Sequence, residues 1–141
     1  VPLIPFAGYL SDRMGRRLVY AIGAIGGATW TAGFLALAAG PASLLAGTVG
    51  ALVFHALMYG PQAAFIAEQF DIRLRYTASS LAYTLAGLLG GAIAPLAFSW
   101  FLARADAATL IGLYITVACA ITLIGLALGR AVPTRHDDIA P

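Results

Sequence analysis

Four long stretches of this chain contain no Asp, Glu, Lys or Arg, and they constrain its fold more than any other feature. They are Leu18–Ala39, Ser43–Ala67, Ala78–Ala103 and Ala107–Gly129. Each exceeds the ~20 residues that an α-helix needs to cross about 30 Å of hydrocarbon. A helix satisfies its backbone groups internally, as lipid requires, and the alternating pattern of a membrane β-strand is missing. The sequence therefore predicts an all-α membrane protein with four transmembrane helices.

The composition and the remaining segments agree with this fold class. Of the 141 residues, 61% are apolar and 10% are charged, whereas soluble domains have about 25% charged residues. The only cysteine, Cys119, lies inside the last stretch and indicates nothing about redox compartment or metal. We expect no metal site and no cofactor. The other segments are predicted to be the end of a truncated helix (1–10), a first loop (11–17), a second loop (68–77) and a polar tail (130–141).

The arginines predict the orientation of the chain. Across the predicted bundle, Arg104 lies on one side, and the other seven lie on the opposite side: Arg13, Arg16, Arg17, Arg73, Arg75, Arg130 and Arg135. Short loops rich in Arg remain in the cytoplasm. We therefore predict a cytoplasmic C-terminus, and this placement accounts for the formal charge of +2 without any nucleic-acid partner.

The segment from Gly8 to Arg17 carries more than an orientation signal. It reads Gly-Tyr-Leu-Ser-Asp-Arg-Met-Gly-Arg-Arg. Glycine allows close helix approach or a turn at positive φ, and Asp or Arg can bond to helix ends or to each other. The segment resembles the G-x-x-x-D-R-x-G-R-R motif of the major facilitator superfamily at all six specified positions, which are Gly8, Asp12, Arg13, Gly15, Arg16 and Arg17.

This resemblance implies a place for the chain within a larger bundle. In the superfamily the motif follows helix 2 and, in a second copy, helix 8. Four predicted spans follow it here, so the chain resembles the end of helix 8 and helices 9–12 of a 12-helix bundle. The chain begins without Met in an apolar segment. We therefore expect a C-terminal fragment whose partner is the missing N-terminal half of the same transporter.

A second resemblance narrows the family. The run Tyr59–Tyr83, followed by Gly90–Pro95, is similar to the metabolite:proton symporter family, with Ala67, Asp71 and Ala78 as departures. That family implies a multi-pass protein of the bacterial plasma (inner) membrane rather than an enzyme. It also implies secondary active transport of a small metabolite, an organic acid or an osmolyte, by proton-coupled symport with alternating access.

A polar stripe within the second predicted span is the first candidate site. His55, Tyr59 and Gln62 follow one another at i, i+4 and i+7, which places them on one helix face near mid-membrane. The resemblance implies that this helix borders the central cavity. Histidine, with an unperturbed pKa of about 6.5, could bind a carboxylate or relay a proton. An equal alternative is a neutral His bonded to a neighbouring helix. Tyr83 and Thr84 are weaker cavity candidates.

The charges of the second loop form the other candidate site. We expect Glu68 or Asp71 to pair with Arg75, or with an arginine of the first loop, and to act as a gate latch. A solvated loop is the alternative. The patches Gly23-x-x-x-Gly27 and Gly87-x-x-x-Gly91 are predicted to be packing contacts within the bundle.

Two other function classes were weighed. One is a small four-helix multidrug-type exporter that acts as an oligomer, whose length fits but which would carry a Glu in its first span. The other is an intramembrane enzyme, which needs a nucleophile beside a positioned base. His55 has only Cys119 and scattered hydroxyl groups as prospective partners, in no recognisable motif.

Overall fold

The computed structural model describes residues 2–37 and 40–129. In these ranges the chain forms helices alone, connected by short turns, and no strand. The helices are α1 (Leu3–Met14), α2 (Arg16–Leu37), α3 (Pro41–Glu68), α4 (Arg75–Leu102) and α5 (Ala107–Leu128). Helices α2 to α5 are each long and apolar enough to cross a membrane. The predicted fold class, an all-α membrane protein with four transmembrane helices, is confirmed.

The first loop is shorter than the segment 11–17 that the sequence indicated. Helix α1 continues to Met14 and α2 begins at Arg16, so Gly15 alone connects them. Its φ of +96° lies in the left-handed region that favours glycine, and its amide donates to the Ser11 carbonyl at 3.0 Å. The predicted and observed boundaries differ because a charged residue indicates where the hydrocarbon region of a membrane ends, whereas a helix ends where its backbone turns.

The same reason explains the other helix ends. Helix α3 includes Glu68, and α4 begins at Arg75, three residues before the predicted start. The predicted polar tail, 130–141, lies outside the described residues.

Helices α1, α2 and α3 pack against one another, and the interface between α2 and α3 is the most extensive. A Cβ at Gly23 of α2 would lie 2.8 Å from the Met58 Cγ, so the two helices approach closely there. Further along the same interface, the Trp30 indole nitrogen donates to the Gly47 carbonyl at 3.0 Å. Helix α5 packs on the other side of α2. The Gly23–Gly27 patch is therefore a packing contact, as predicted.

Helix α4 is the exception, because it touches only α3 and α5 and none of its residues is buried. Around Gly87 and Gly91, a Cβ would meet no atom within 4 Å. Packing of this patch within the larger bundle stays a prediction, because it has no close neighbour in the part of the chain that the structure describes. The residues that pack closely all lie on α1, α2, α3 and α5, which leaves the α4 glycines in open space.

Candidate functional site

The polar stripe lies on an open face of α3. His55 is near the middle of this helix, and its ring stacks on Tyr59 with centroids 5.7 Å apart and 30° between the ring planes. Both side chains are exposed, Tyr59 to 53%. Gln62 lies one turn further along and is half-buried. Within 2–37 and 40–129, neither His55 nor Gln62 has a hydrogen-bonding partner, so their polar atoms are available to a ligand.

Close packing on the opposite side fixes this part of α3. A Cβ at Gly60 would lie 2.7 Å from the Gly8 nitrogen and 2.8 Å from the Ala7 Cβ, so α1 presses directly on the Gly60 backbone. Pro61 beside it is almost fully buried, and α3 continues through it as one helix. The expectation that Gly8 permits close helix approach is confirmed. Its partner Gly60, however, could not be identified from the sequence.

Two candidates on α4 lie at one side of the stripe. Tyr83 is 39% exposed on α4. Thr84 is exposed, and its hydroxyl donates to the Ser80 carbonyl of its own helix at 2.9 Å. The hydroxyl proton of Thr84 is therefore engaged in this hydrogen bond, and only the lone pairs of its oxygen remain available. Tyr83 is the better placed of the two.

Tyr20 is a residue that the sequence did not single out. In the structure the Tyr20 ring meets Phe65 of α3 edge-on, with centroids 6.0 Å apart. The sequence could have drawn attention to Tyr20, because this residue lies one helical turn after Arg16 of the motif.

An ion-pair cluster joins the ends of α1, α2 and α3. The Arg16 guanidinium donates to the Asp12 carboxylate, from Nη2 at 3.0 Å and from Nε at 3.2 Å. It also pairs, through Nη1, with the Glu68 carboxylate. Of the four pairings considered from the sequence, the structure contains the one between Glu68 and a first-loop arginine. In the described ranges, Asp71 and Arg75 form no ion pair.

The other two motif arginines have different partners. Arg13 lies over the Tyr9 ring of its own helix, 4.8 Å from the centroid, in a cation–π contact. Arg17 donates from Nη2 to the Ala127 carbonyl at 2.8 Å, which caps the last turn of α5. An arginine bonded to helix C-terminal carbonyls was one of the roles expected for this motif. Among the residues that are described, no three His, Cys, Asp or Glu side chains are grouped to hold a metal ion.

Comparison with known proteins identifies the family. The family model described as Major Facilitator Superfamily matches residues 1–140. The Escherichia coli protein named "Inner membrane metabolite transport protein YhjE" is 30% identical over 140 residues, which is 97% of this chain and 31% of that protein. The "Cis,cis-muconate transport protein" of Acinetobacter baylyi is 40% identical over 92 residues, or 63% of this chain and 21% of that protein. No solved structure matches the chain.

These matches decide between the classes considered from the sequence. The chain spans about a third of the length of the curated relatives that it matches over nearly its whole extent. Those relatives are named as transport proteins, not as enzymes and not as small four-helix exporters. The family match covers the motif loop and all five helices. This chain belongs to the Major Facilitator Superfamily.

Proposed function

We propose that this chain is part of a secondary active transporter that carries a small metabolite together with a proton. The substrate class is an organic acid or an osmolyte. The relatives named as metabolite transport proteins support this proposal, and one of them is named for muconate, the anion of an organic acid. The remaining helices of the 12-helix bundle would supply the other half of an alternating-access cycle.

The stacked pair of His55 and Tyr59 is the observation that carries the proposal. An ionisable side chain at the middle of a membrane span costs free energy, and such residues mark substrate or proton pathways. His55 lies in mid-span on an open face, and the described part of the chain offers it no hydrogen-bonding partner.

The arrangement on α3 suggests how a proton and an anion could be coupled. When His55 takes up a proton, its imidazolium attracts a carboxylate, and the bound carboxylate in turn favours the protonated imidazole. Tyr59 and Gln62 can donate hydrogen bonds to the same anion, and Tyr83 is a further candidate donor on α4. Because each charge stabilises the other, the two would bind and leave together. This reciprocity is the physical requirement for symport.

The cluster of Asp12, Arg16 and Glu68 is proposed to act as a gate latch. It connects α1, α2 and the end of α3 on the side that the arginines predict to be cytoplasmic. A partly exposed ion pair stabilises a conformation by ~0–1 kcal/mol. That is enough to bias a two-state equilibrium whose conformations differ by a few kcal/mol, because each ~1.4 kcal/mol changes the populations tenfold.

A transport assay on the complete transporter tests this function. The purified protein would be reconstituted in vesicles and given a panel of organic acids and osmolytes, with and without an inward proton gradient. We expect at least one substrate to accumulate only when the gradient is present, and an uncoupler to abolish that accumulation. Uptake that is indifferent to the proton gradient for every transported compound would contradict proton coupling.

A further inference from the structure

A cavity of about 510 Å³ lies at the start of α4, away from the polar stripe on α3. It is lined by Ala67, Ile72, Arg75, Tyr76, Ser79 and Ser80. Arg75 and Ser79 are one helical turn apart, as are Tyr76 and Ser80, so one side of α4 provides most of the polar lining. Neither the substrate stripe nor the Arg16 cluster uses these residues.

The polar groups of this cavity have no partners in the described part of the chain. The Ser79 hydroxyl oxygen is shielded from solvent and has no hydrogen-bonding partner there. Arg75 forms no ion pair with any described residue. A shielded hydroxyl without a partner is unfavourable unless a ligand satisfies it, and the adjacent guanidinium determines the sign of that ligand's charge.

The surrounding backbone and charges also favour an anion. Helix α4 begins with no side-chain cap and no acidic residue in its first turn, so its first amide N–H groups remain available beside Arg75. Glu68, at the preceding helix end, is already paired with Arg16. Asp71, in the connection, does not line the cavity. Among the described residues, the polar lining of the cavity therefore consists of the donors Arg75, Tyr76, Ser79 and Ser80, without a carboxylate.

We propose that this cavity binds a phosphate group. The Arg75 guanidinium would pair with two phosphate oxygens, and the Ser79 and Ser80 hydroxyls would donate to the others. The apolar lining of Ala67 and Ile72 suits the glycerol and acyl part of a phospholipid, because the cavity lies at the end of a membrane-spanning helix, where headgroups lie. An inorganic phosphate ion presents the same chemistry without the apolar part.

Lipid titration followed by native mass spectrometry tests the site. The whole purified protein that carries this chain would be delipidated in mild detergent and titrated with phosphatidylglycerol, with zwitterionic phosphatidylcholine as the reference lipid. Arg75→Gln is expected to weaken phosphatidylglycerol binding about tenfold, and Ser79→Ala by a smaller factor, because charge-assisted hydrogen bonds are the strong ones. Arg73→Gln is the matched control, since Arg73 is exposed in the same connection and does not line the cavity.

A second arm adds inorganic phosphate as a competitor. Displacement of phosphatidylglycerol by millimolar phosphate would identify the free ion as a ligand, and no displacement would identify the lipid headgroup; either result supports a phosphate site. Equal weakening by Arg73→Gln and Arg75→Gln would overturn it, because the cavity would then contribute only diffuse positive charge. Unchanged binding in both Arg75→Gln and Ser79→Ala would overturn it too. Circular dichroism checks that each variant keeps its helix content.

Discussion

The guanidinium of Arg16, the first residue of α2, pairs with the carboxylate of Glu68, the last residue of α3. The same guanidinium holds Asp12 in the last turn of α1. One side chain thus connects three helix ends at a single point. Next to it, Arg17 donates to the carbonyl of Ala127 near the end of α5. Two consecutive arginines therefore have separate roles, because one pairs with carboxylates and the other donates to a carbonyl at a helix terminus.

The Arg16–Glu68 pair predicts measurable coupling between two neutral substitutions. We expect Arg16→Gln and Glu68→Gln each to change the transport rate of the complete protein, and the double variant to be less impaired than the sum of the two. The expected coupling is about 1 kcal/mol, since the pair is partly exposed. Neutral variants are preferred because an acidic residue at position 16 would face Asp12. Additive effects would argue against a latch.

The bond from Arg17 to Ala127 predicts a stability effect without a transport signature of its own. Arg17→Gln should destabilise the last turn of α5 by about 0.5–1 kcal/mol, because it removes a donor and a positive charge from a helix C-terminus. Arg17→Lys should recover part of this loss. Hydrogen exchange at residues 125–128 measures the change. Arg13→Gln is the control, since Arg13 contacts only the ring of Tyr9 on its own helix; equal loss of protection in this variant would refute a specific cap.

The approach of α1 to α3 predicts that Gly60 tolerates no side chain. A methyl group at this position would lie 2.7 Å from the backbone nitrogen of Gly8, so Gly60→Ala should destabilise the fold by about 1–3 kcal/mol through overpacking. Gly33→Ala is the matched control, because nothing lies within 4 Å of that position in α2 and alanine favours a helix. Thermal unfolding in detergent compares the two. A melting temperature unchanged by Gly60→Ala would show that the contact between Gly60 and Gly8 leaves room for a methyl group.

The sequence predicts the transmembrane helices well, and for a physical reason. A stretch of more than ~20 residues without charge has few alternatives to a membrane helix, so the order of the spans follows directly. The helix ends are less predictable, because Asp12 and Glu68 are charged yet lie within helices. The polar stripe also follows from local geometry. Residues four apart on a helix face one another, so His55 and Tyr59 stack as their spacing suggests.

The contacts between helices could not be predicted from the sequence. Several pairings were open to Glu68, and its choice of Arg16 depends on how the ends of α2 and α3 meet. The close approach of Gly60 to Gly8 and the ring contact of Tyr20 with Phe65 depend on the same packing. The glycines of α4 show most clearly which feature the sequence does not predict. A small-residue pattern predicts that a surface can pack, but it does not identify the partner.

The proposal also predicts the behaviour of the 141-residue chain alone. Alternating access requires two halves that rock against each other, and this chain spans about a third of the relatives that it matches. Vesicles that contain only this chain should therefore show no substrate uptake above that of protein-free vesicles, whereas the complete transporter should restore it. Uptake by the chain alone would mean that these helices form a working transporter without the other half.

The most direct test of the account measures substrate and proton uptake together in vesicles that contain the complete transporter with His55→Gln. We predict that this variant loses accumulation driven by the proton gradient, because the proposed coupling group is gone, while it can still exchange substrate at equilibrium. His136→Gln, which changes the other histidine of the chain, should transport as the parent protein does. If His55→Gln accumulates substrate with the parent's proton-coupled kinetics, the central claim about the stripe on α3 is wrong.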